Sequence, residues 1–199
     1  MKTTADTASV PSSRSTTLAP PGAGLPWFEE LVLRNGLRLY SRFTPRDAML
    51  KKFFSQAERV LEMVAPLDET RGRTPVLVKR VRGMEDSSRC WSPYMIVRHL
   101  VMVDKSLLGM ILLLSSGKTL NRKVSPADVK PPPDAGPEVI EEFRELLVRW
   151  QETLAGMGDL RGGSRHLHPW FGKLDAHGWL ALAAVHHGIH RKQMERVIG

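Results

Sequence analysis

The side chains best suited to chemistry in this chain are histidines. Seven occur, and three crowd into Trp179-Leu-Ala-Leu-Ala-Ala-Val-His186-His187-Gly-Ile-His190-Arg-Lys-Gln193. A spacing of four puts His186 and His190 on one helical face, one turn apart. That face is the apolar one, running through Trp179, Leu182, Ala183, His186, His190, Gln193 and Val197. His187 is turned about 100° away by the helical period. Two imidazoles so placed can chelate a divalent metal, because both rings converge on one point. The pair alone reads equally as two core histidines satisfied by hydrogen bonds. His99 shifts that balance. It lies in the stripe Met95, His99, Met102, Ser106, Met110 of another apolar segment, and if the two helices are neighbours it completes a three-nitrogen set. Three histidines leave a coordination position open for water or substrate. Imidazole suits zinc, nickel, copper and iron alike, so the donor type does not select the ion.

Other reactive groups have plainer readings. His168 is expected to pack or cap the apolar turn His168-Pro169-Trp170-Phe171-Gly172; the sharper alternative has this loop cover the metal end, with His168 touching substrate. His177, off the ligand stripe, is expected to be solvated. The single Cys90 excludes an internal disulfide and a cysteine-built zinc site, and fits a reducing, cytoplasmic setting. Without an assigned base or carboxylate it reads as a buried, inert thiol. Met102 and Met110 read as core, and the glycines from Gly156 to Gly163 follow no strand, so they form no phosphate-cradling loop.

Four amphipathic segments must position these groups. The first opens at Thr44-Pro45, with Thr44 as cap, carries the stripe Leu50, Phe53, Phe54, Ala57, Val60, Leu61 and Val64, and closes at Pro66. The second opens at Ser92-Pro93 and runs to about Gly117. The third starts near Pro137-Glu138, and the fourth follows Asp175 as cap and continues to Ile198. Helices of such length predict an all-α four-helix bundle. The links before Trp91 and through Pro131-Pro132-Pro133 are long, which predicts a crossover connection; Val76 to Val81 reads as a short extended piece. Residues 1–24, rich in Ser, Thr, Ala and Pro, read as a disordered tail, leaving 25–199 as one domain. Arg98, Asp104 and Lys105 interrupt the second helix, and its uncharged run from Ser106 to Gly117 falls short of the roughly 20 residues a membrane span needs.

Composition bounds the alternatives. At 42% hydrophobic and 25% charged, the chain is neither disordered throughout nor fibrous. The net charge of +8 raises the question of nucleic acid. The basic residues (Arg71, Arg73, Lys79, Arg80, Arg82, Arg122, Lys123, Arg161, Arg165) are strewn through loops, as on a solvated surface, and no nucleic-acid partner is expected.

Trp91-Ser92 followed by His99-Leu100, then His186-x3-His190 with Gln193, resembles the DinB-like metal-binding four-helix bundles. Glu85-Asp86-Ser87-Ser88-Arg89 and the His-Pro-Trp-Phe-Gly turn are similar too. The resemblance implies a bundle with one long crossover, often dimeric, in which His99, His186 and His190 hold zinc, nickel or iron. Relatives so implied include thiol transferases that use bacillithiol, a mycothiol-dependent isomerase and iron-dependent sulfoxide synthases. The synthases carry His-x3-His-x-Glu where this chain has Lys192, and the isomerase carries a carboxylate where this chain has His186. The all-histidine set is closest to the transferases. The implied function is metal-dependent transfer of a low-molecular-weight thiol to a small-molecule substrate, the alternative being a metal-stabilised scaffold or homodimer without chemistry.

Overall fold

The computed structural model describes residues 17–121 and 126–199. Most of the proposed tail, 1–16, and the basic pair Arg122 and Lys123 lie outside the described residues. Helices dominate: α1 (Trp27–Phe43), α2 (Arg46–Val64), the short α3 (Glu69–Arg73), α4 (Pro93–Ser115), α5 (Glu138–Ala155) and α6 (Ala176–Ile198). Two small antiparallel hairpins complete the fold, β1 (Val76–Leu77) with β2 (Cys90–Trp91), and β3 (His166–His168) with β4 (Gly172–Leu174).

The bundle is α2, α4, α5 and α6, with α6 packed against α2 and α4 and flanked on its outer side by α1. This central position explains why Trp179 to Ala184 are buried all round. The stripe of α2 lands in the core through Phe53, Ala57, Val60 and Val64, and that of α5 through Val139, Phe143, Leu146, Leu147, Trp150 and Leu154. Phe53 stacks on Trp150 at 4.5 Å between ring centroids. Across the outer faces of α4 and α5, Arg98 donates to both carboxylate oxygens of Glu142 at 2.7 and 3.1 Å. Ser92 and Asp175 cap α4 and α6, accepting from the Met95 and Gly178 amides at 3.2 and 2.9 Å.

Three expectations are corrected. Thr44 does not cap α2; its amide donates to the Tyr40 carbonyl and closes α1, a helix absent from the four-segment reading. Only Leu37 of α1 is fully buried, whereas Trp27, Phe28, Leu31, Val32, Leu39 and Phe43 face outward, so no inward stripe announced it. Cys90 is exposed, because strand alternation turns it out where the adjacent Trp91 turns in. His177 is buried at 1% exposure, its Nε2 within 3.0 Å of the Ser41 carbonyl at the end of α1. The extended piece at Val76 is present as β1. Residues just before α1 are tied down: Ala19 donates to Asp86, and Gly22 and Gly24 donate to Glu85, at 3.0, 3.2 and 2.9 Å. Among the described residues no helix is long and apolar enough to cross a membrane.

Candidate metal centre

Helices α4 and α6 pack directly, which brings His99 to the His186/His190 pair. One ring nitrogen from each of the three lies within 4.8 Å of the others. The Nε2 atoms of His99 and His186 are 3.1 Å apart, near the roughly 3.3 Å edge expected between two nitrogens on one tetrahedral zinc. Two of the rings have assignable tautomers. His99 Nδ1 is 2.7 Å from the Val129 carbonyl, which can only accept, so Nδ1 carries the hydrogen and Nε2 a lone pair. Gln193 Nε2 donates to the Ser88 carbonyl at 2.7 Å, which turns Oε1 toward His190 Nδ1, also at 2.7 Å. His190 Nδ1 therefore donates, and its Nε2 too keeps a lone pair. His186 Nδ1 is buried without a partner. Neutral, pre-oriented nitrogens directed at one point suit a divalent ion, and the other nitrogen of two rings is held as metal-ligating histidines require. Burial holds His99 down at about 4. Burial chiefly, and then the neighbouring imidazoles, push His186 and His190 well below the usual histidine range. All three are thus neutral at pH 7, as ligands must be.

The surroundings give the familiar segments a role. Trp91, held inward by β2, stacks parallel to His190 with centroids 6.0 Å apart and tilts against His99 at 5.0 Å. The Glu85–Arg89 stretch secures residues 19–24 through its carboxylates and orients Gln193 through the Ser88 carbonyl. Gln193 lies on the ligand stripe three residues after His190, and that i+3 spacing is the sequence signal for this role.

The third histidine of α6 has a different fate. His187 is fully buried on an adjacent face of α6, and its Nε2 donates to Asp104 of α4 at 2.8 and 3.0 Å. Phe53 and Phe143 enclose its ring at centroid distances of 4.3 and 5.9 Å. Asp104, read from sequence only as a charge interrupting an apolar helix, is the partner that makes this burial tolerable.

His168 caps its turn as expected. Its Nδ1 accepts from the Trp170 and Phe171 amides at 3.1 and 3.4 Å, so its Nε2 bears the hydrogen. Gly172, at φ 78°, supplies the left-handed residue that starts β4. His168 also lines a cavity of about 700 Å³ that reaches His99, His186 and His190, so the two readings of this residue are compatible.

A solved structure described as TT2238, a four-helix bundle protein, is similar at 21% identity, with a TM-score of 0.51, covering 76% of this chain and 98% of that one. That likeness concerns the fold. No curated protein matches. The family model of the DinB superfamily matches residues 56–194, a span that runs from α2 nearly to the end of α6 and includes all three converging histidines. With well over half of the sequence matched and the bundle shared, the chain belongs to the DinB superfamily.

Proposed function

We propose that the protein is a metal-dependent enzyme, a thiol transferase in which His99, His186 and His190 hold one divalent ion. The observation that carries this reading is the convergence of three neutral ring nitrogens, two with fixed tautomers, at the wall of a cavity large enough for a substrate. A divalent ion bound there supplies Lewis-acid activation, lowering the pKa of a thiol so that thiolate forms at neutral pH. The chain's own groups do the rest. Val129 and the Gln193–Ser88 relay orient two ligands, Trp91 shields their rings from water, and His168 offers an Nε2–H donor at the cavity wall. A closed structural site would have no reason to adjoin a cavity, which favours catalysis over a scaffold. The reading places the enzyme in the cytoplasm as one domain over 25–199. It includes pairing of two copies, for which exposed Trp27, Phe28 and Phe43 offer apolar surface.

Cobalt substitution tests the reading. The cobalt protein should show visible absorption that changes when 2-mercaptoethanol is added. A spectrum indifferent to added thiol would overturn the transferase assignment.

A further inference from the structure

The cavity beside the three histidines is a cleft with a floor and two walls. Residues Leu182, Val185 and Ile189 of α6 form the floor, α1 gives one wall through Leu33 and Leu37, and α4 the other through Leu107 and Met110. The α4 wall runs from His99 to Leu113, about 21 Å at the helical rise. Its volume of about 700 Å³ lies within the range that holds a ligand much larger than a simple thiol.

Three observations bear on what fills it. First, most of the lining is apolar, and Val32 and Leu120 continue it outward at 53% and 40% exposure. Charged groups in the lining are engaged or peripheral. The Glu85 carboxylate accepts from Gly22 and Gly24, and Asp128 and Lys130 are exposed at the edge. Second, the three histidines stand together at one end of the α4 wall, and the other polar groups of the lining are few against its apolar residues. Among them are His168, and the Tyr40 hydroxyl and Trp179 ring nitrogen, both buried with no hydrogen-bond partner among the described residues. Third, two glycines within helices, Gly36 of α1 and Gly109 of α4, line this space, and a Cβ added to either would meet nothing within 4 Å. Neither has a positive φ or a close neighbour that demands glycine. Glycine is a poor helix former, so both helices forgo stability at the positions where a side chain would fill the cleft.

We propose that the cleft binds an elongated, predominantly apolar substrate and delivers a polar end of it to His99, His186 and His190. This deepens the enzymatic reading and rests on those histidines forming a metal centre. An apolar molecule gains affinity with every methylene buried, whereas a compact polar substrate would leave the distant wall of α4 unused.

The test is calorimetric titration of the full chain, metal-free and zinc-loaded, with straight-chain carboxylates from butanoate to dodecanoate. Affinity should rise about fourfold per added methylene until the cleft is full. The variants Gly36→Leu and Gly109→Leu should keep native helix content and bind dodecanoate at least tenfold more weakly. Affinity independent of chain length would overturn the proposal, and so would undiminished dodecanoate binding by both variants. Zinc content measured on the same samples separates the two readings. Methylene-dependent binding by a protein that takes up no zinc would support the cleft assignment and overturn the metal centre.

Discussion

The two sides of α6 treat the same side chain in opposite ways. On the side facing the cleft, His186 and His190 meet another histidine from α4, with a carbonyl-linked amide behind one of them and no carboxylate among the partners found. On the side facing the bundle interior, His187 meets Asp104 and two phenylalanines. A buried imidazole surrounded by other imidazoles stays neutral, with its lone pairs available. One given a carboxylate has its Nε2 hydrogen committed, and becomes a strut between α4 and α6. What a histidine does here is thus decided by what the neighbouring helix brings to it rather than by its own position on α6.

That contrast can be broken by experiment. The largest effect is expected from replacing His186 and His190 together with alanine. Metal content by mass spectrometry should fall from near one equivalent to none while the helical spectrum persists. Stoichiometric metal surviving the change would sink the ligand assignment.

Asp104→Ala should do the reverse. It strips His187 of its partner in a fully buried site, and the expected loss is about 3–5 kcal/mol in denaturant unfolding, with metal content retained by the fraction that folds. Unaltered stability would mean that the strut contributes nothing.

Acid sharpens the comparison. Burial keeps the His99 ring neutral down to about 4, while the same ring in the unfolded chain takes up its proton near 6.5. Between these values the unfolded state binds more protons, so stability is full above pH 6.5 and falls as the pH drops toward 4, by about 3 kcal/mol for this group alone. The metal-free protein should show that slope in urea titrations at stepped pH. Saturating zinc should stabilise it above pH 6.5 and make the loss on acidification steeper, since protons compete with the ion.

A smaller effect is expected from Gln193→Ala, which leaves His190 Nδ1 without its acceptor. Metal affinity should weaken about 10- to 100-fold in chelator competition, with stoichiometry restored at high metal concentration.

Much of the bundle is legible in the sequence alone. The stripe of α2 names Phe53, Ala57, Val60 and Val64 of its buried residues but not Met49 and Met63, and Ser92 and Asp175 mark two helix starts by chemistry that is entirely local. The helix α1 was not legible, since its apolar residues face outward and its inward side buries little beyond Leu37. Thr44 misled for a related reason: a threonine before a proline resembles a cap, but α2 begins at Arg46 with Pro45 in the cap position, and Thr44 instead ends α1. His177 and His187 were illegible as buried groups because what makes their burial tolerable, the Ser41 carbonyl and the Asp104 carboxylate, stands far away in sequence.

The sequence by itself determined that His186 and His190 share a face, because helical periodicity is local, and that no cysteine framework could stabilise the fold. Tertiary structure alone decided that His99 meets that pair, that His187 goes to Asp104, and that α1 stands off from α4 to leave a cleft. Each of these depends on which helix faces which, and that is set by the burial of whole apolar faces, summed over residues no short motif contains.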